Sequence, residues 1–143
     1  MSISTGYFRG VKKPHHNHIV SIAAGQPKWL PVQYKHKQLA PRYVLLNDFR
    51  HDKITEQQYV QQFNAMLSQL NAQQVYNQLA DMSGNAIMCC HCGINDFCHR
   101  HLVAEWLEHQ LGIKIEEHAI GYVLRSNGRV ITQPPPTIQG TLW

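Results

Sequence analysis

Two short apolar runs stand out against the polar pattern of the chain. Residues 18–23 are rich in β-branched side chains and are followed by the breaker segment 24–27, so we expect a buried strand that ends in a tight turn. Residues 86–90 form a second apolar run and predict another buried strand. Apolar and polar residues alternate over residues 113–116, which predicts a third strand.

The segment between the first two strands has helical periodicity. Pro41 is a favourable first helical residue, and Thr55 with Gln58 matches a capping box that starts a second helix. Asn71 is placed to cap a third helix. The apolar positions that repeat at helical spacing behind the capping box are interpreted as core packing, and they are Tyr59, Phe63, Met66, Leu67 and Leu70.

The order of these elements predicts the fold. A fourth helix is expected over residues 97–111, with Asp96 as its N-cap and Gly112 just beyond its end. Strands joined by long helical connections are parallel, and Asn127-Gly128 between strand-like segments predicts a hairpin. We therefore predict an α/β fold, a single three-layer domain with a small, mostly parallel sheet, helices on both faces and a C-terminal hairpin.

The ends of the chain are expected to lie outside this domain, which is predicted over residues 18–132. Residues 1–17 are polar and contain a Lys/His tract, so we expect a flexible or loosely packed N-terminal segment. Residues 133–143 begin with a proline run and predict an irregular C-terminal tail. A chain of 143 residues with 43% hydrophobic residues is long enough for one buried core.

Composition narrows the possible partners. The net charge of +4 permits an anionic small molecule, a nucleotide or nucleic acid, although the basic residues are scattered. The chain has neither an apolar run of membrane-spanning length nor an apolar signal segment, so we expect no membrane partner. Four cysteines without a signal segment favour free thiols in a reducing cytoplasm, in a bacterial or phage setting.

The chemistry is concentrated in residues 89–101, which hold all four cysteines and three of the ten histidines. This stretch leaves the carboxyl end of a predicted parallel strand and enters a helix, which is where open α/β sheets bind ligands. We expect the helix N-terminus to lower the pKa of Cys98 and so to activate it as a nucleophile or redox-active thiol. Arg100 is expected to clamp an anion, and His99 to transfer a proton.

Two other interpretations of the same residues stay open. In the first, Cys98 packs under the helix and Arg100 pairs with a surface acid such as Glu105. In the second, Cys90-x-Cys92 with Cys98 and a histidine supplies the soft ligands of a zinc site, whose ligand set would be Cys90, Cys92, Cys98 and His101. The spacing lacks a paired Cys-x-x-Cys knuckle, so no cofactor is favoured.

An apolar strand that ends in Cys90, a seven-residue loop, and then Cys98-His99-Arg100 with an apolar helix resembles the signature of domain-of-unknown-function family 488. A subgroup of that family is also similar in its Gly-x-Pro-x-Trp turn, here Gly25 to Trp29. The resemblance covers about residues 7–116. It implies a compact α/β domain and singles out Cys90 and the Cys-His-Arg motif, but it implies no particular reaction.

The family resemblance also bears on the metal question, because the loop sequence departs from the family pattern at residues 91–95. Cys89 and Cys92 are therefore particular to this chain, and a zinc site that needs Cys92 would not be a family property. This departure favours the thiol interpretation of Cys98 over the zinc interpretation.

The leading functional expectation is an enzyme, such as a cysteine-dependent transferase or hydrolase, for a phosphorylated or nucleotide-like ligand. Its catalytic residues would be Cys98, His99 and Arg100. The other ligand-binding candidates are Ser21, Gly25, Trp29, Cys90, His91 and His101, with Trp29 available to stack on a base. The alternatives are a non-catalytic nucleic-acid or nucleotide-binding module and a zinc-stabilised interaction domain.

Overall fold

A six-stranded sheet forms the centre of the computed structural model, which describes residues 2–131. The predicted tail over residues 133–143 lies outside the described residues. The sheet order is β3-β2-β4-β1-β5-β6, and every neighbouring pair is parallel except β5 with β6. The strands are β1 (Ser4–Tyr7), β2 (Ile19–Ser21), β3 (Tyr34–Lys35), β4 (Ile87–Cys90), β5 (Glu116–Glu117) and β6 (Gly121–Tyr122).

The sequence pattern predicts a flexible or loosely packed N-terminal segment. In the structure this segment contributes β1 and is not loosely packed there. This strand lies inside the sheet and pairs with β4 on one side and β5 on the other. Its residues form no apolar run, so the usual sequence signal of a buried strand is missing. Buried Thr5 is satisfied instead by a 2.6 Å hydrogen bond that it donates to the carboxylate of Glu117.

Four α-helices follow the predicted periodicity: α1 (Tyr43–Arg50), α2 (Glu56–Leu67), α3 (Ala72–Met82) and α4 (His99–Leu111). The capping box of Thr55 and Gln58 is present, and Asn71 caps α3. The expected N-cap of α4 is wrong. Cys98 takes that position, while Asp96 accepts a hydrogen bond from the backbone N–H of Gly93 in the preceding loop.

The three layers of the domain differ in kind. The buried side chains of α1 to α4 form one core with Val20 of β2 and Met88 of β4. Ile19 and Ile87 point into a second, smaller core that includes Phe8, Val11 and Leu30. The α-helices therefore cover one face, and 3-10 turns and loops cover the other. Within residues 2–131, no helix is both long and apolar enough to cross a membrane.

The predicted Asn-Gly hairpin is present, with shorter strands than expected. Strands β7 (Arg125–Ser126) and β8 (Arg129–Val130) flank the turn, where Asn127 and Gly128 have φ values of 52° and 85°. This turn holds the start of α4, because the backbone N–H of Cys98 donates to the Gly128 carbonyl at 2.9 Å. The hairpin thus fixes the position of the helix residue that the sequence marked as reactive.

Replacing Gly128 by alanine is expected to lower the free energy of unfolding by about 2 kcal/mol or more. The left-handed φ disfavours a side chain, and a Cβ atom would clash with the ring of Phe97. Gly112 is the matched control, since it has a φ of 65° but no neighbour within 4 Å of an added Cβ. Its alanine variant should lose only about 1 kcal/mol in urea unfolding, and equal losses would contradict the packing argument.

Candidate functional site at the carboxyl ends of the central strands

The carboxyl ends of β2, β4 and β1 meet at one edge of the sheet, with β4 in the middle. The segments that follow them contact one another there. His91, after β4, donates a 2.8 Å hydrogen bond from Nε2 to the Gly25 carbonyl, and its ring packs edge-on against Phe8. The guanidinium of Arg9, after β1, lies 5.2 Å from the ring centroid of Trp29. Three loops therefore converge over the end of β4.

Three thiols gather beneath these loops. The Sγ atoms of Cys90, Cys92 and Cys98 all lie within 4.8 Å of one another, and all three cysteines are free. Cys90 and Cys98 are buried, whereas Cys92 is partly exposed. Cys89 and the predicted zinc ligand His101 do not belong to this group. The structure therefore brings together three of the four predicted metal ligands.

The expected activation of Cys98 by the helix terminus is wrong for the resting protein. Burial raises the pKa of the Cys98 thiol to about 12. The nearby positive charge of Arg100 lowers it by less than burial raises it. The Cys90 thiol behaves alike, because burial raises its pKa to about 11. Cys98 is thus a neutral thiol at neutral pH, and any reaction at its sulfur needs a group that takes the proton.

His99 provides such a group. Its Nε2–H donates a 2.6 Å hydrogen bond to the Ile22 carbonyl, and burial lowers the pKa of the imidazole to about 4, so the ring is neutral. With the proton on Nε2, the Nδ1 atom carries a free lone pair. Nδ1 lies 3.9 Å from Sγ of Cys98, within reach of its S–H proton. Ile22 thereby fixes the tautomer that faces the thiol.

Arg100 lies inside the protein rather than at its surface. Its guanidinium is fully buried and forms a 2.9 Å ion pair with Glu117, which is equally buried. The remaining donors point to Sγ of Cys90 at 3.1 Å and to the carbonyls of Cys92 and Gly93. Because these contacts and the second bond to Glu117 use all of its N–H groups, Arg100 does not act as the expected anion clamp. It instead anchors the loop between β4 and α4, residues 91–98, which we call the thiol loop.

His101 does not belong to the group of three thiols. Its Nδ1 accepts a 3.0 Å hydrogen bond from Nε of Arg125, which also donates to Thr5 and thereby connects to Glu117. Its buried Nε2 has no hydrogen-bond partner among residues 2–131. Burial, with the charges of Arg100 and Arg125, lowers the pKa of His101 to about 2. His101 is therefore a neutral core histidine.

This buried histidine predicts acid sensitivity. A histidine in the unfolded chain titrates near about 6.5, so below that pH the unfolded state binds a proton that the folded state excludes. The free energy of unfolding should fall by about 2 kcal/mol between pH 7 and pH 5 from this residue alone. In His101→Asn, whose amide oxygen replaces Nδ1 as acceptor, that part of the loss should disappear. Urea unfolding at the two pH values measures it, and equal losses in both proteins would contradict the assignment.

The other sequence-predicted candidates have distinct surroundings. Ser21 is buried and its hydroxyl accepts from the backbone N–H of Ala23, so it shapes the turn after β2. Trp29 is 52% exposed, and Gly25 contributes its carbonyl to His91. The sequence pattern does not identify Arg9 as a site residue, because its only signal is its place after an aromatic pair in the N-terminal segment. It also missed Glu117, which lies 17 residues beyond Arg100.

Cavities of appreciable size among the described residues include two that lie away from the thiols. One, of about 630 Å³, is near the amino ends of β1 and β4 and is lined by His15, His18 and His118 among others. The second, of about 510 Å³, lies along α2. Neither is lined by a cysteine. The exposed side of the thiols is the surface formed by Arg9, Trp29, His91 and the partly exposed Cys92.

Comparison with known proteins agrees with the signature at the strand end. The family model DUF488-N3a, described as the active DUF488-N3 subclade, matches residues 14–111. The matched range includes β2, the thiol loop and α4, and it ends before Glu117 and the hairpin. No curated protein and no solved structure matches the chain.

Proposed function

The chain belongs to the DUF488 family, and from that premise we propose that it is an enzyme acting on a phosphorylated or nucleotide-like ligand, with Cys98 as its reacting sulfur. The observation that carries this proposal is the pairing of Cys98 with His99. A buried thiol faces the free lone pair of an imidazole whose other nitrogen is held by Ile22. The family model's description as an active subclade agrees with it.

The proposed chemistry starts from a neutral thiol. As Sγ of Cys98 forms a bond to an electrophilic atom of the ligand, its proton passes to Nδ1 of His99. The Ile22 carbonyl accepts the Nε2–H bond of the imidazolium and offsets part of the effect of burial, which disfavours that cation. The bond from that atom to the displaced group breaks, and the group leaves with the same proton. Water, in a hydrolase, or an acceptor group, in a transferase, then attacks the atom held on Sγ, and its proton passes through His99 to restore the thiol. Arg100 and Cys90 position the loop and do not contact the ligand in this scheme.

The ligand's anionic group is assigned to Arg9, because Arg100 is saturated. Arg9 is an exposed cation at the carboxyl end of β1, and its guanidinium lies over the half-exposed ring of Trp29. A planar cation next to an aromatic face suits a phosphate attached to a base, since the cation binds the phosphate and the aromatic ring stacks on the base. Both residues follow strands that flank β4, so the ligand would lie over the thiols.

Titration of the full chain with ribonucleoside monophosphates, followed by tryptophan fluorescence, tests this ligand class. We expect Arg9→Gln to weaken binding at least about tenfold, the effect of losing a charge-assisted hydrogen bond. Lys12→Gln, an exposed cation in the same segment, should change affinity less than threefold or so. Trp29→Phe should abolish the fluorescence change. The ligand assignment fails if no nucleotide binds, or if the two charge variants weaken binding equally.

A non-catalytic nucleotide or nucleic-acid module is the second candidate, and the exposed Arg9–Trp29 pair is the observation that favours it. Such a module would bind as described but would not use the thiol. For a nucleic acid its affinity would also fall steeply with salt, because each phosphate contact releases counterions. Substitution of Cys98 therefore separates the two candidates, because an enzyme would lose turnover whereas a non-catalytic module has no turnover that depends on the thiol.

A further inference from the structure

We propose that Cys90, Cys92 and Cys98 also form a binding site for a thiophilic divalent cation such as Zn²⁺, and that an occupied site withdraws Cys98 from chemistry. The binding part depends only on the three thiols. The inhibitory part rests on the proposed function, in which Cys98 reacts as a free thiol. The site differs from the ligand set expected from the sequence, because His101 is not a member.

The geometry of the sulfur atoms carries the binding part. Their mutual separations are no greater than 4.8 Å, and three sulfurs around a tetrahedral Zn²⁺ at about 2.3 Å lie roughly 3.8 Å apart. Shifts of about 1 Å or less would therefore complete the site. The sulfurs come from three separate elements, the end of β4, the loop and the start of α4, so the cation would join them from different directions.

The surroundings of the sulfurs also suit a metal–thiolate centre. Arg100 donates an N–H to Sγ of Cys90 at 3.1 Å, and a second donor holds the Cys92 carbonyl at 2.7 Å. Hydrogen bonds of this kind orient thiolate ligands and offset their negative charge. Arg100 is itself held by Glu117, so the outer contacts exist before any cation arrives.

The fourth coordination position is left for water or an external ligand. Nδ1 of His99 lies 3.9 Å from Sγ of Cys98 but does not belong to the group of atoms that lie mutually close. Cys92 is the partly exposed member, so the cation enters and leaves on its side. Binding releases three thiol protons to solvent for each divalent cation, which leaves the centre with one negative charge beside the Arg100 guanidinium.

Cobalt titration of the reduced full-length protein tests the site, because each thiolate–Co²⁺ bond adds near-ultraviolet charge-transfer absorbance. We expect one Co²⁺ per chain, with absorbance for three thiolates, and displacement by Zn²⁺. Cys92→Ser should weaken binding at least about 100-fold. The control is Cys89→Ser, a buried cysteine outside the group, which should bind like the wild type. Circular dichroism confirms that each variant is folded.

The outcomes separate the two parts of the proposal. Absence of Co²⁺ binding by the folded wild type, or equal binding by Cys92→Ser, overturns the metal site and leaves the proposed function standing. Full turnover by Zn²⁺-loaded protein overturns the inhibitory part alone. If the wild type requires Zn²⁺ for turnover, then Cys98 is a ligand rather than a free nucleophile; the proposed function fails and the metal site stands.

Discussion

Replacing Glu117 by glutamine is expected to lower the free energy of unfolding by about 3–5 kcal/mol. The substitution removes the only fully buried negative charge that pairs with Arg100 among the described residues. Arg100 would remain charged inside the protein, with its contacts to Cys90 and to the loop carbonyls as the only compensation. An unpaired buried guanidinium is costly because water cannot replace the lost partner.

The neighbouring Glu116 supplies the control for this prediction. It lies next to Glu117 on β5 but is exposed, and Glu116→Gln should change stability by less than about 0.5 kcal/mol. Urea unfolding of the three proteins at neutral pH gives the comparison. A loss below about 1 kcal/mol in Glu117→Gln would mean that the Arg100–Glu117 pair does not hold the loop as described.

Replacing Cys98 by alanine is expected to reduce turnover at least about 1,000-fold with whichever ribonucleoside phosphate the binding titration identifies. Without the sulfur there is no atom at the start of α4 to form the covalent bond. Affinity should stay within a factor of about two, because Arg9 and Trp29 hold the ligand in the proposed scheme. The pair of results, lost turnover with retained binding, separates a reacting group from a binding group.

Cys89 is the matched control for that substitution. It is buried in β4 directly before Cys90, and its sulfur does not belong to the group formed by Cys90, Cys92 and Cys98. Cys89→Ala should therefore keep turnover within about threefold, apart from a loss of stability from the small cavity. Turnover that survives in Cys98→Ala would contradict the enzyme proposal and would favour the non-catalytic module.

Much of the fold follows from local patterns in the sequence. The helices could be predicted because Thr55 and Asn71 are capping residues and the apolar positions behind them repeat at helical spacing. The parallel pairing of β2 with β4 follows from the long helical connection between them. Strand β1 could not be predicted, because its burial depends on pairing with β4 and β5 rather than on apolar residues of its own.

The candidate site could be predicted only where it depends on local structure. Cys90, Cys98 and His99 lie together at one edge of the sheet because a strand, a short loop and a helix follow one another directly in the sequence. The role of Arg100 depends on Glu117, which comes from another strand and has no local signal. The pKa of Cys98 likewise depends on burial by the whole core, which outweighs the effect of the helix terminus.

The rate at which iodoacetamide alkylates Cys98 tests the central claim most directly. The reduced, metal-free full chain is treated over a time course at neutral pH, and each cysteine is quantified by peptide mass spectrometry in the wild type and in His99→Gln. Because Cys98 is a buried, neutral thiol that needs His99 as base, we predict that Cys98 is alkylated slowly in the wild type and at least about tenfold more slowly in His99→Gln. A Cys98 that stays unmodified, or that reacts equally fast in both proteins, would contradict the account.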